Sequence, residues 1–307
     1  MSYNTVRSAY FKMHLAIFLW GFTGLLGKLI QLNEGVLVWY RLLISAAAIA
    51  LILFYTKKFP KIPFKEMAKI SGIGILVMLH WVLFYACIKL SSISIAMVCL
   101  SSIALFVSFI EPIVKREKFD YTEIFFSGLA VLGIFTIYKS DPSVSLGITV
   151  GIISALMSAI FSTLNGRIAS KYEPMTISLI ELTSGLVFLT LLFPLYFKIQ
   201  PTVKFIPSEY DWIYLLILSL LCTVFTWILS LQAMQKVSAY TVALALNLEP
   251  VYGIILAVAV AGEGKFLTNG FYTGAVIILL TIVAHTVYKF RSKRPPASSP
   301  PVADAHF

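Results

Sequence analysis

The sequence predicts an all-α polytopic membrane protein of ten transmembrane helices, arranged as two inverted five-helix repeats. The chain of 307 residues is 59% hydrophobic and 12% charged, with a mean hydropathy of +0.90. So few charges could not cover the surface of a soluble domain. Ten apolar segments, most of them long enough to cross a bilayer, follow one another with short connections. The last five segments resemble the first five, and an odd number of spans per half turns the second half over.

The order of the spans divides the chain into two halves and a tail. Residues 1–140 form the first five-helix repeat, residues 141–290 form the second, and residues 291–307 form a tail. The tail is basic and then rich in Pro, Ser and Ala, so we expect it to be disordered and cytoplasmic. The predicted spans are 13–30, 36–56, 70–88, 92–110, 121–138, 146–167, 175–197, 211–233, 239–261 and 268–288.

Short matches between the halves support the repeat. Gly27-Lys28 recurs 139 positions later as Gly166-Arg167, and Lys118-Phe119 recurs 147 positions later as Lys265-Phe266. In each half the Lys-Phe pair follows the fourth span and precedes the fifth. Inverted repeats of this kind are typical of secondary transporters, which hold their binding site between the halves near the bilayer midplane.

The distribution of basic residues predicts the orientation in the membrane. Of the 24 Lys and Arg residues, 17 fall on the side of the N-terminus, six fall on the opposite side, and Arg41 lies within span 2. Because cytoplasmic loops carry the excess of Lys and Arg, both termini are predicted to be cytoplasmic. The expected location is the inner (plasma) membrane of a bacterium.

Charge and motifs exclude several function classes. The net charge of +10 reflects the orientation rule, so nucleic acid is not an expected partner. The sequence has no P-loop and no metalloprotease or hydrolase motif. Its three cysteines lie in separate apolar segments and are interpreted as small apolar side chains. We therefore predict no enzyme activity, no metal and no cofactor.

Ionisable residues within the spans are the first candidates for function, since charge at mid-bilayer costs a few kcal/mol or more. Glu249 lies nearest the centre of its span and precedes Pro250, which opens a helix locally by removing a backbone donor. A carboxyl group here could bind an amine or hold a coupling proton, or it could be neutral and stabilise helix packing. Asn247 is a further cavity candidate, although it lies on a different helix face from Glu249.

Arg41 and Glu181 occupy nearly equivalent places in the two repeats, 140 positions apart. Arg41 could bind a substrate carboxylate through two parallel hydrogen bonds, or reach toward the outer interface. Glu181 lies near the inner end of span 7. Since the two residues fall on opposite sides of the midplane, we expect no salt bridge between them, and each is a candidate for a gate on its own side.

Aromatic and small polar residues complete the candidate cavity. His80 could relay protons or bind substrate, but a lone histidine on an apolar helix can equally be a packing residue. Tryptophans at depth could line a cavity or only pack against neighbouring helices, and serines could face water or bond to their own helix. These cavity candidates are Trp20, His80, Trp81, Tyr85, Ser101, Ser102 and Trp227.

Two G-x-x-x-G motifs permit close helix contact, at Gly147-x-x-x-Gly151 and Gly270-x-x-x-Gly274. We interpret both as packing within the molecule, with a homodimer face as the alternative.

Several motifs together resemble the drug/metabolite transporter superfamily, specifically its EamA-type members. The stretch 243–253, followed by Gly262-Glu263, is similar to the family's ninth helix and the glutamate after it. Trp20-Gly21 and Arg41 sit where the family often has them, and Glu117 resembles the first-half counterpart of Glu263. One departure is that Ile103 stands where the repeat would place a proline equivalent to Pro250.

The resemblance implies alternating-access transport of small metabolites, often export of amino acids or related compounds. It also implies a central cavity lined by parts of spans 1, 3, 4, 6, 8 and 9. A coupling proton held by Glu249 is one expectation and passive transport is another. The alternatives are a phosphate or nucleotide-sugar exchanger, a membrane-embedded lipid enzyme, and a non-transporting scaffold or receptor.

Overall fold

The computed structural model describes residues 3–57, 62–116, 118–168, 171–229 and 248–292. Asn247, Glu117 and the predicted tail from residue 293 therefore lie outside the described residues. Within these ranges the regular structure is entirely helical. The first half contains α1 (Tyr3–Leu29), α2 (Glu34–Tyr55), α3 (Phe64–Leu90), α4 (Ile93–Leu100), α5 (Ile103–Lys115) and α6 (Tyr121–Ser140). The second half contains α7 (Ser145–Ile168), α8 (Pro174–Ile199), α9 (Glu209–Leu216), a π-helical segment (Ile217–Phe225), α10 (Glu249–Ala259) and α11 (Asn269–Ser292).

The helices correspond to ten membrane spans. Seven of them are long and apolar enough to cross a bilayer, and three shorter apolar helices cover 124–140, 249–259 and 269–285. The predicted fold class is thus confirmed. Two helices begin earlier than the spans predicted for them. Helix α1 begins at Tyr3 rather than at residue 13, and α3 begins at Phe64 rather than at residue 70. Polar and basic residues occupy the first turns of both helices, and hydropathy alone does not detect helical turns of this composition.

The connections of both halves meet at one end of the bundle. The Lys89 ammonium at the end of α3 donates to the carbonyl oxygens of Ile30 and Leu32, beyond the end of α1. The Asp211 carboxylate of α9 accepts from the backbone N–H of Gln31 at 2.8 Å. Near the start of α7, Gly147 packs on Ser91, the residue that follows α3. The end of α1 therefore lies at the same end of the bundle as the start of α7, its counterpart in the other repeat. The two halves consequently run in opposite directions, and this shared end is the predicted outer end.

A glutamate from the second half caps a helix of the first half at the same end. Glu263 is 8% exposed. Its carboxylate accepts from the backbone N–H groups of Ile93 and Ser94 at 2.8 and 2.9 Å, and from the Ser94 hydroxyl at 2.7 Å. These N–H groups have no partner within α4, so the carboxylate satisfies donors that a buried helix end would otherwise leave unpaired.

Span 4 is broken rather than continuous, which differs from the predicted helix 92–110. The backbone N–H groups of Ser101 and Ser102 bond to carbonyls three residues back, and the Ser102 hydroxyl donates to the carbonyl oxygen of Cys99 at 2.7 Å. These bonds interrupt the regular ladder between α4 and α5. At the repeat offset of 147, Ser102 aligns with Glu249 in the sequence, so the break in span 4 corresponds to the start of α10 in the second half.

Span 8 widens from an α-helix into a π-helical segment after Leu216. The Thr223 hydroxyl donates to the carbonyl oxygen of Leu218, five residues back, at 2.9 Å. The Thr226 hydroxyl bonds to the carbonyl oxygens of Cys222 and Thr223 at 3.0 Å each. Segments of this kind are rare and often lie at functional sites. Here Thr223 within the segment and Thr226 just after it contact helices of the first half.

Glycines allow the closest helix contacts inside the molecule. A Cβ at Gly151 would lie 2.8 Å from the sulfurs of Cys87 and Cys99, and one at Gly274 would lie 2.6 Å from Ile137 of α6. Both G-x-x-x-G motifs are thus occupied by packing within the chain.

Candidate functional site

Arg41 is the centre of the candidate site. Its side chain projects from α2 and the residue is 5% exposed. The guanidinium donates from Nη1 to the Tyr85 hydroxyl at 2.8 Å and from Nε to the Thr223 hydroxyl at 3.1 Å. Thr223 can accept this bond because its own proton goes to Leu218. Helices from both halves therefore hold Arg41 from two sides.

The face of Trp81 covers the same guanidinium. The Arg41 Cζ lies 3.7 Å from the centroid of the indole ring, close enough for a cation–π interaction. Trp81 and Tyr85 stand four residues apart on α3, so both reach Arg41 from one helix face. Of the sequence candidates, Trp81 and Tyr85 are thus brought directly onto Arg41.

Arg41 has no acidic partner within the described part of the chain. No carboxylate there lies within ion-pair distance of the guanidinium, and its Nη2 makes no hydrogen bond to a described residue. Arg41 and Glu181 form no salt bridge. A buried charge is ordinarily paired, and within the described residues Arg41 is held by hydroxyl groups and an aromatic face instead of a carboxylate.

Glu249 supplies the second ionisable group of the candidate site. It is the first residue of α10 and partly buried, and its carboxyl group makes no hydrogen bond with the described residues. Arg41 and Glu249 form no ion pair with each other. Pro250 follows it as the first-turn proline of the helix, a position where a missing backbone donor costs nothing.

Close contacts fix α10 in place. A Cβ at Gly21 of α1 would lie 2.9 Å from the Cβ of Tyr252, and one at Gly253 would lie 2.5 Å from the Met97 sulfur of α4. Glu249 therefore begins a helix that is clamped between the first and fourth spans.

Two tryptophans at depth differ in their hydrogen bonding. The Trp20 indole donates to the Thr226 hydroxyl at 2.8 Å and so joins α1 to span 8. The Trp227 indole N–H is buried and has no partner among the described residues. An orphaned buried donor of this kind is uncommon in a native protein, and it marks Trp227 as a group able to donate to a bound molecule.

His80 is bonded within the protein at one ring nitrogen. Its Nδ1 lies 3.0 Å from the Ser154 carbonyl oxygen and 2.9 Å from the Ser154 hydroxyl, and the ring stacks on Phe84. Ser154 in turn donates to the His80 carbonyl oxygen at 2.8 Å. This arrangement fixes the ring between α3 and α7. Its role in transport stays a prediction.

Both serine candidates form hydrogen bonds with the backbone of their own span. Ser102 is buried and bonds to Cys99, while Ser101 is partly buried at the break between α4 and α5. Glu181 lies apart from Arg41, on α8 against α3, where it interacts with the Asn165 side chain.

Sequence reasoning missed Thr223 and Thr226. Both contact a predicted candidate, namely Arg41 and Trp20 respectively. Their only signal in the sequence is a pair of hydroxyls three residues apart within an otherwise apolar span.

Gly27 provides the space in which Tyr85 meets Arg41. A Cβ at this position would overlap the Tyr85 ring, which is fully buried. We expect Gly27→Ala to destabilise the protein by about 1–3 kcal/mol through overpacking, measured as a lower thermal unfolding temperature in detergent. Gly72→Ala is the matched control because a Cβ there meets nothing within 4 Å. Equal unfolding temperatures for the two variants would contradict the packing described.

Comparisons with known proteins indicate one transporter family. A model described as the EamA-like transporter family matches residues 7–139 and again 145–286. A protein of Archaeoglobus fulgidus called an uncharacterized transporter is 24% identical over 274 residues, which are 88% of this chain and 96% of that protein. A crystal structure described only as that of a protein shares the fold, with a TM-score of 0.63 and 16% identity over 94% of this chain and 99% of the other.

The two matched stretches lie one in each half of the chain, as a two-repeat membrane architecture requires. The resemblance stated from the sequence motifs is confirmed by this match. The chain belongs to the EamA-like transporter family of the drug/metabolite transporter superfamily, and it is an integral membrane transporter.

Proposed function

We propose that the chain is a secondary transporter of small zwitterionic metabolites of the amino-acid type, working by alternating access. One arrangement carries the proposal: the Arg41 guanidinium and the Glu249 carboxyl group form no ion pair with each other. Trp20, which shares a hydrophobic cluster with Leu248 and Tyr252 around Glu249, bonds to Thr226, and Thr223 one turn earlier bonds to Arg41. A zwitterion bridges the guanidinium and the carboxyl group, since its carboxylate accepts from Arg41 Nη2 and its ammonium donates to Glu249. Each contact is a charge-assisted hydrogen bond.

The surroundings of the two charges favour an apolar or aromatic substrate side chain. Trp81 covers one face of the Arg41 guanidinium, and Trp20 shares a hydrophobic cluster with Leu248 and Tyr252, the neighbours of Glu249 along the helix. The Trp227 N–H of span 8 is a further buried donor without a partner among the described residues. Because the hydrogen bonds of Arg41 and Trp20 reach span 8 of the other repeat, a rearrangement of the halves would alter the site itself.

A phosphate or nucleotide-sugar exchanger is less well supported. Such a site needs several cations for one dianionic group, whereas Arg41 is here accompanied by the acidic Glu249. We further propose that the protein acts as an exporter in a bacterial plasma membrane with both termini in the cytoplasm, in keeping with the bias of its basic residues.

Thermal stabilisation by matched analogues tests the proposal. A ligand that binds the folded state raises the unfolding temperature in proportion to the logarithm of its concentration over Kd. We expect amino acids to stabilise the purified protein, and their decarboxylated amines and deaminated acids to stabilise it less. Stabilisation by phosphate esters and not by any amino acid would contradict the zwitterion site.

A further inference from the structure

The carboxyl group of Glu181 lies in a second polar site, separate from the Arg41 site. Glu181 is 4% exposed, and its Oε1 is buried without a hydrogen-bond partner in the described part of the chain. The side chain of Asn165 on α7 interacts with this carboxyl group, and the Asn165 Oδ1 is likewise buried and unpartnered. One buried acceptor oxygen on each of these two side chains thus lacks a donor in the described part of the chain.

The backbone around Glu181 is held tightly. A Cβ at Gly74 of α3 would overlap the carbonyl group of Glu181, and the Ser184 hydroxyl bonds to the carbonyl oxygens of Ser71 and Glu181 at 3.2 and 3.0 Å. The contact of α3 with α8 is therefore close and fixed. The polar contact with α7, through Asn165, is the part that can change when the charge of Glu181 changes.

No described charge compensates an ionised Glu181. Helices α2 and α3 pack against α8, and α7 meets α8 through the buried cluster that contains Ile168 and Ile177. None of the charged or titratable groups of α2, α3 and α7 bonds to this carboxyl group in the described part of the chain. Those groups are Glu34, Tyr40, Arg41, Tyr55, Lys65, Glu66, Lys69, His80, Tyr85, Cys87, Lys89 and Arg167. A buried carboxylate without a cation is costly, so a bound proton relieves the charge.

A single proton also resolves the unpaired acceptors. A protonated carboxyl group gains one O–H donor, and the Asn165 amide offers both a donor and an acceptor, so the two side chains then have complementary groups. A sodium ion is less suitable, because oxygen-ligated metal ions need more ligands than the Glu181 and Asn165 oxygens described here provide. The observations thus favour a proton over a metal cation.

We propose that Glu181, with Asn165, is the proton-binding site that couples transport to a proton gradient, and that it is distinct from the substrate site at Arg41 and Glu249. The coupling rests on the proposed function. In each cycle the Glu181 carboxylate takes one proton from water on one side of the membrane and releases it on the other. Loss of the proton leaves a buried charge without a cation, which favours entry of water beside the carboxyl group and so loosens the contact of α8 with α7.

The first test needs no substrate. The unfolding temperatures of the wild type and Glu181→Gln are measured between pH 5 and pH 9, with Glu173→Gln as the exposed control at the start of α8. Gln imitates the protonated carboxyl group, so we expect the two proteins to match at acid pH. As the pH rises the wild type ionises and is expected to melt several degrees lower than Glu181→Gln, while Glu173→Gln follows the wild type.

A difference in unfolding temperature that is independent of pH, or that follows the sodium concentration at constant pH, overturns the proton site.

A second test measures amino-acid flux in proteoliposomes. Glu181→Gln is expected to keep substrate exchange without a gradient and to lose accumulation driven by a proton gradient. Loss of both activities would contradict a separate coupling site. Failure of every amino acid to bind the wild type would contradict the proposed function and leave the result of the pH test intact.

Discussion

Glu249→Gln is expected to weaken substrate binding strongly and to slow transport while leaving the fold intact. The variant keeps the size of the side chain and the start of α10, but it loses the negative charge that faces an ammonium group. A hydrogen bond to a charged group contributes about 1.5–3 kcal/mol, so affinity should fall about 10- to 100-fold. Thermal stabilisation by the amino acid and flux in proteoliposomes both measure this loss.

Glu209→Gln is the matched control for this experiment. Glu209 is also the first residue of a helix, α9, but it is exposed. The control should bind and transport like the wild type. If Glu249→Gln transports at the wild-type rate at every pH, Glu249 has no part in the site.

Arg41→Lys is expected to weaken binding about tenfold or more although the positive charge is kept. Arg41 donates from Nε to Thr223 and from Nη1 to Tyr85, and in the proposed site Nη2 binds the substrate carboxylate. Lys has a single, shorter-reaching ammonium group and cannot reproduce this planar arrangement. Arg41→Gln should lose the preference for amino acids over their decarboxylated amines, because the partner of the carboxylate is gone. Binding titrations with the two ligands measure the change.

Lys198→Gln tests whether any loss of positive charge has the same effect. Lys198 lies on α8 and is exposed, so its replacement should change neither affinity nor the preference for zwitterions. An Arg41→Gln variant that retains this preference would show that the substrate carboxylate binds elsewhere.

The fold could be predicted from the sequence because its dominant signal is hydropathy. Ten apolar segments and the excess of basic residues on alternate connections do not depend on distant contacts. The break in span 4 could not be predicted in the same way. No proline or glycine stands at residues 101 and 102. The break arises because the N–H groups of Ser101 and Ser102 and the Ser102 hydroxyl bond to carbonyl oxygens three residues back.

The candidate site could be predicted in its residue types but not in its pairings. Arg41, Trp81 and Tyr85 stand out as charged or aromatic groups at depth. The contact of Arg41 with Thr223 spans 182 positions, and it depends on a π-helical segment that follows no sequence rule. His80 shows the opposite case, because a conspicuous residue is bonded to Ser154 by contacts that only the packed helices reveal.

The most direct test of the central claim is the flux of a labelled amino acid into proteoliposomes that contain the purified wild-type protein. The experiment compares vesicles preloaded with the same unlabelled amino acid, with its amine analogue and with its acid analogue. Exchange that is fast only with the zwitterion inside, and that Glu249→Gln strongly slows, is the result predicted by a site between Arg41 and Glu249. Equal exchange with the amine or the acid analogue would contradict it.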